Sequence, residues 1–179
     1  AQADRVTVTG SLKFDSLEPA NPGQARSRER VLRYFRFPVS RPVWVAGSTH
    51  PGEELALLQA HRQLCTRTPT LLVLAPRHSR RFGDVAEALQ LQGWRWQGRS
   101  AAPADADRER SSEVLLLDTI GELVDFYAAA DLAFVGGSLV PVGGHNLLEP
   151  VGLGIATLTG PHQFNAPDIA RVLVAHGAV

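Results

Sequence analysis

The residues best suited to chemistry are Gly136-Gly137-Ser138 and, shortly after, Gly143-Gly144-His145-Asn146-Leu147-Leu148-Glu149-Pro150. A strand runs into the first glycine pair, and the second pair opens a helix. Glycine lets backbone approach a ligand closely and adopt positive φ. A helix starting just behind it turns unpaired N–H groups and a positive dipole end toward an anion. Pro150 fits the first turn, where its missing donor costs little. The segment suits a phosphate or nucleotide diphosphate-like group. Asn146 and Glu149 also have the Asn-x-x-Glu spacing of a capping box, which needs no ligand. On these residues alone both readings stand, and the two glycine pairs favour the ligand.

Three further turns follow apolar runs. In Ala75-Pro76-Arg77-His78, the planar fork of Arg77 could clamp phosphate oxygens, or simply make a surface loop contact. Arg80 and Arg81 are expected to face solvent on the helix that follows. In Asp118-Thr119-Ile120-Gly121-Glu122-Leu123, the backbone at Ile120 and Gly121 could read a base edge. Equally, Thr119 and Glu122 could form a second capping box. Gly47-Ser48-Thr49-His50 reads as an ordinary strand-to-helix turn with a polar cap.

Other chemistries lack their signatures. Neither Gly-x-Gly-x-x-Gly nor Gly-x-x-x-x-Gly-Lys follows a strand, which removes support for NAD and ATP sites. Ser138 has no Gly-x-Ser-x-Gly elbow around it. The six histidines form no His-x-x-x-His or similar ligand set, so neither a metal nor another cofactor is expected.

These turns must be carried by a frame. Val43–Gly47, Leu71–Ala75, Glu113–Leu117, Leu132–Val135 and Ile155–Leu158 read as strands, with a weaker one at Trp94–Trp96. Helices are expected at Pro51–Leu64, Ser79–Leu91, Gly121–Ala129, Asn146–Gly152 and Ala166–Ala175. Strands apolar throughout, alternating with helices, indicate right-handed parallel βαβ units with both sheet faces covered. Ligands then bind at the carboxyl ends of the strands, where the four turns lie. Before this, Val6–Gly10 reads as an extended segment, Ser16–Gly23 as loop and Gln24–Phe35 as a basic helix with a solvated face. In a membrane enzyme, that face could touch anionic lipid. Ser100–Arg110 reads as a polar excursion.

With 179 residues, 44% of them hydrophobic and 20% charged, the chain suits one domain with a real core. Its 18 basic and 18 acidic residues balance, so no global field would draw it onto nucleic acid. Cys65 stands alone, which excludes an internal disulfide. No apolar run approaches the roughly 20 residues that span a bilayer. The absence of any methionine suggests a piece of a longer protein.

In this order the motifs resemble the C-terminal domain of Kdo transferases, which move 3-deoxy-D-manno-oct-2-ulosonic acid (Kdo) from CMP-Kdo to lipid A precursors. The matching stretches are Val8–Asp15, Ala46–His50, Pro76-Arg77-His78, Asp118–Leu123 and a near-continuous run from Tyr127 to His162. The resemblance implies a GT-B architecture, of which this chain would be the C-terminal, Rossmann-like half. It implies an interdomain connecting segment at 1–23 and a donor-nucleotide-binding domain at 24–179, truncated at its C-terminus, with the N-terminal acceptor domain absent.

For CMP-Kdo, the resemblance implies contacts from Pro76 and Arg77, and a base- and ribose-side loop at Ile120, Gly121 and Glu122. It adds the strand exit Gly136, Gly137 and Ser138, and the helix start Asn146, Leu147, Leu148 and Glu149. The catalytic carboxylate and the lipid IVA acceptor site would belong to the N-terminal half, leaving no catalytic residue here. The parent would sit at the cytoplasmic face of the bacterial inner membrane, with this piece soluble and inactive by itself. The competing readings are another GT-B transferase or epimerase with a uridine donor, and a non-catalytic nucleotide-binding module.

Overall fold

The computed structural model describes residues 31, 41–101 and 112–179. The expected segments at 6–10, 16–23 and 24–35, the motif at 8–15 and most of the 100–110 excursion lie outside them. The boundary at 23/24 lies outside them too.

Among the described residues, six parallel strands form one sheet in the order β3-β4-β2-β1-β5-β6. They are β1 (Val43–Thr49), β2 (Leu71–Pro76), β3 (Trp96–Gly98), β4 (Val114–Leu116), β5 (Leu132–Val135) and β6 (Ala156–Thr159). Between them run α1 (Glu53–Cys65), α2 (Phe82–Leu91), α3 (Leu123–Ala128), α4 (Leu148–Gly152) and, last, α5 (Pro167–Ala175). A 3-10 turn, Ser79–Arg81, precedes α2 and takes up the start of the longer helix expected there.

The central strands are apolar at every position because both of their faces are covered. Val43, Val45, Leu71, Val73 and Leu115 pack on one side with Phe126 and Tyr127 of α3. Trp44, Ala46, Leu72, Leu74 and Leu116 pack on the other with Leu57 and Leu58 of α1 and Val85 and Leu89 of α2. The α1 crossover leaves β1 toward β2, whereas the α3 crossover passes from β4 to the far side of β1. Right-handed crossovers in opposite directions fall on opposite faces, as these clusters show. Ile169, Ala170 and Leu173 of α5 close a third cluster over Val135, Leu147 and Leu148.

The weaker strand expected at Trp94–Trp96 is displaced to Trp96–Gly98, at the edge of the sheet. Trp94 is instead buried in the α1/α2 layer, stacked on His61 at 5.4 Å between centroids. The aromatic residue that suggested a strand is used as helix-layer core.

Candidate functional site

Neighbouring strands β1 and β5 send their chains to opposite faces, which makes the crevice between their carboxyl ends the switch point of the sheet. The β1 exit is distorted. Its register against β2 shifts between Gly47 and Thr49, and Ser48 takes φ 56°, in the left-handed region. The β5 exit folds back on itself: Gly144 N–H donates to Gly137 O at 2.7 Å and His145 N–H to Gly136 O at 3.2 Å.

One side chain joins the two exits. The wholly buried Glu53, first residue of α1, accepts backbone N–H groups from His50 and Gly137 on Oε2 and from Ser138 and Leu139 on Oε1, all at 2.8–2.9 Å. Four charge-assisted bonds compensate the burial of this carboxylate. Close packing follows. A Cβ on Gly136 would lie 2.5 Å from Ser48 O, and one on Gly137 would lie 2.9 Å from the His145 ring.

Three histidines stand on the crevice rim, one from each of three adjacent strand exits. His50 Nε2 and His145 Nε2 are 2.7 Å apart, with the ring centroids 5.0 Å apart and the ring planes within 12° of parallel, so the two rings meet edge to edge. His78 meets His50 edge-on at 5.5 Å. Burial, then the neighbouring His50 and Arg77, push His145 down to about 4. Burial also lowers His50.

Beside the rim, above β2 and β4, lies a pocket of about 490 Å³. Its walls include Ser48, Pro76, Arg77, His78, Ile120 and Gly121. Leu123 lines it too and also packs at Gly47, where a Cβ would meet Leu123 Cδ1 at 3.1 Å and Tyr127 Oη at 2.0 Å. Burial, reinforced by nearby Glu149, raises the Tyr127 phenol well above its ordinary value. The Glu149 carboxylate therefore lies within electrostatic reach of Tyr127, whose hydroxyl packs at Gly47.

No family model matches the chain. It is 38% identical over 96% of its length to a 3-deoxy-D-manno-octulosonic acid transferase of Haemophilus influenzae, and 41% identical over 99% to that of Bordetella pertussis. Among solved structures it matches the C-terminal CMP-Kdo binding domain of WaaA from Acinetobacter baumannii. The TM-score is 0.78 at 32% identity, covering 87% of this chain and 79% of that one. The chain belongs to the 3-deoxy-D-manno-octulosonic acid transferase family. It spans 39% and 41% of the two curated relatives' own lengths, about two fifths of each.

In this Kdo transferase family member, the residues singled out by sequence fall into two groups. Pro76, Arg77, Ile120 and Gly121 meet at the pocket, with Arg77 and Ile120 exposed. Glu122 stands beside it, paired with Arg99 at 2.7 Å and accepting the Thr119 hydroxyl at 2.5 Å. Asn146 and Glu149 meet at the α4 start, where Asn146 Nδ2 donates to Glu149 Oε1 at 3.1 Å and Leu148 N–H donates to Asn146 Oδ1 at 3.3 Å. Neither capping box closes in full, because the helices begin later than expected: Thr119 meets Glu122 side chain to side chain, and Asn146 keeps one backbone N–H, from Leu148, beside its contact with Glu149. Leu147 and Leu148 are buried in the α5 cluster.

Several expectations are corrected. The glycine pairs make room chiefly for the protein itself: Gly136 for the β1 exit, Gly143 for Asn165 and Gly144 for Gln163. Ser138 is buried, its hydroxyl donating to Val135 O and accepting Gly160 N–H. At five residues, α4 has local N–H groups to offer but little macrodipole. Arg81 turns inward to an ion pair with Glu54 at 2.5 Å, where Glu54 also accepts the Thr49 hydroxyl. Sequence reading passed over Glu53 and the grouping of His50, His78 and His145. For His50 and His78 the usable signal was placement just after strands, in Ser-Thr-His50 and Pro-Arg-His78, whereas His145 stands well past the end of β5 at Val135 and carried no such signal. Among the described residues, no group of three or more His, Cys, Asp or Glu side chains is arranged to hold a metal ion, and no helix is long and apolar enough to cross a membrane.

Proposed function

We propose that the chain is the donor-nucleotide-binding domain of an inverting glycosyltransferase that transfers Kdo from CMP-Kdo to the lipid A precursor lipid IVA. The observation that carries this is the pocket at the carboxyl edge of the sheet, where Arg77 and the backbone of Ile120 and Gly121 converge. The solved relative that shares this fold is a CMP-Kdo binding domain.

The chemistry of each residue fits its role. Ile120 and Gly121 offer main-chain donors and acceptors of the kind that distinguish cytosine from uracil. Arg77 supplies a permanent cation for the phosphate, and stabilises the charge that builds on CMP as the glycosidic bond breaks. Glu149, held by Asn146, accepts hydrogen bonds from ribose hydroxyls. Pro76 and Glu122 border the same site, and Leu147 and Leu148 anchor the helix start that carries Glu149. Gly136, Gly137 and Ser138 serve it by fixing the β5 exit through Glu53.

The base that deprotonates the acceptor hydroxyl, the acceptor site and the contact with the inner membrane are assigned to the N-terminal half of the family's two-domain enzyme. Titration of the chain with CMP, UMP and GMP tests the donor assignment. CMP is expected to bind best and to shift resonances at Arg77 and Asn146. Equal affinity for the three nucleotides, or a response confined to other residues, overturns it.

A further inference from the structure

We propose that His50 and His145, with His78 beside them, form the subsite for the oxyanion of the donor, and that the pair takes up one proton from solvent as that anion binds. This rests on the CMP-donor reading above and adds a component to it.

The placement comes first. The three imidazoles cluster at the exits of β1, β2 and β5, with His78 in the wall of the Arg77 pocket and His145 next in sequence to Asn146. His145 is near enough to feel the Arg77 charge, so an anion held by Arg77 and reaching toward Asn146 meets it. The pairing comes second. Nitrogens 2.7 Å apart admit one hydrogen between them, so one ring donates and the other accepts. The accepting ring carries its own proton on Nδ1, and the donating ring has Nδ1 free. Adding a proton there converts the donor to imidazolium, leaves the shared bond intact and makes it charge-assisted. The pair can therefore change from neutral to singly cationic without rearranging.

The surroundings set when this occurs. The charged and titratable groups that face the pair are Arg77, His78, Arg81, Glu53 and Glu54. Glu53 is saturated by main-chain donors, and Glu54 is paired with Arg81. Burial and the neighbouring cationic groups keep His145 neutral down to about 4. An arriving phosphodiester or carboxylate offsets Arg77 and supplies the missing counter-charge, which raises the proton affinity of the pair so that it becomes cationic nearer neutral pH. Nothing built into the pair itself supplies that anion.

Calorimetry of the chain at pH 7.5, in two buffers of different ionisation enthalpy, reads the protons taken up. Cytidine should bind without uptake. Cytidine 5′-(methyl phosphate), a diester that does not itself titrate near neutrality, should bind with uptake if the phosphate is the anion. Uptake only with CMP-Kdo assigns the subsite to the sugar carboxylate instead. Either result supports the proposal. Affinity for the anionic ligand should fall as pH rises across the uptake window. His50→Gln and His145→Gln should abolish uptake and weaken the anionic ligand by about tenfold, leaving cytidine unaffected. If either variant fails to fold, imidazole ¹⁵N shifts of the unmodified chain should show a ring becoming doubly protonated on binding. CMP preference with no uptake and unchanged rings overturns the histidine subsite alone. No cytidylate binding at all overturns both it and the donor reading.

Discussion

Glu53 Oε1 accepts the backbone N–H of Ser138 at 2.9 Å across 85 residues of sequence. With the three other N–H groups on the same carboxylate, this bond fixes the two strand exits that form the crevice. Glu53→Gln turns one oxygen into an amide NH2 facing two N–H donors. Two charge-assisted bonds are lost and buried donors are stranded. The expected cost is about 3 kcal/mol, read as a lower urea midpoint at unchanged m-value. A midpoint within error of the unmodified chain would show that the carboxylate is not what joins the exits.

Glycine substitutions should separate packing from conformation. Gly136→Ala places a Cβ 2.5 Å from Ser48 O and 2.8 Å from Thr49 Cα, both backbone atoms that cannot swing away. We expect it to destabilise by about 3 kcal/mol through overpacking. Gly83→Ala in α2 meets nothing within 4 Å and should stabilise by about 0.5–1 kcal/mol through helix propensity. Thermal unfolding of the two variants side by side checks the contrast. Equal effects would sink it.

Much of this frame was legible because buried parallel strands are written as unbroken apolar runs. Leu71, Leu72, Val73 and Leu74 could be little else, and β5 falls at Leu132–Val135 as read. Residues near the pocket could be named because each directly follows such a run. What the chain could not reveal was lateral order. Nothing local says that β5 inserts beside β1, so nothing local says that His145 meets His50 or that Glu53 reaches Ser138. Read alone, Glu53 is an ordinary acid in a helix first turn. The glycine pairs were legible as close approaches, but not as approaches by the protein's own side chains.

Acid should destabilise the fold through histidines held neutral. His145 is pushed from its ordinary 6.5 down to about 4 by burial first, then by His50 and Arg77. Burial also lowers His50, and His61 where Trp44 donates to it. Each has a folded value below its unfolded one, so the unfolded chain binds more protons between the two. This stability is fully present above about 6.5 and lost as pH falls toward about 4. Urea midpoints should decline over that interval and be flat, for these groups, above it. A midpoint unchanged between neutrality and the lower value would show that the three rings are not held neutral.

Arg77 and Glu149 should affect binding while leaving the fold in place. The Arg77 side chain is exposed, and its backbone N–H bond to Thr49 O at 3.0 Å survives truncation. Arg77→Ala removes the pocket's permanent cation and should weaken CMP by about ten- to a hundredfold, with little change for cytidine. Glu149→Gln tests the α4 start. A helix cap accepts Gln as readily as Glu, and the Asn146 amide still finds an oxygen at that position, so stability should hold. A ribose-binding carboxylate cannot be replaced so freely, because the amide offers one acceptor where the carboxylate offers two. We expect Glu149→Gln to weaken CMP and cytidine alike, by about tenfold. Calorimetry of the four pairs separates the roles: a loss for CMP alone marks a phosphate contact, and an equal loss for both ligands marks a ribose contact. If Glu149→Gln leaves both affinities unchanged, the Asn146–Glu149 contact is a helix start and nothing more, and the ribose must lie against another wall of the crevice.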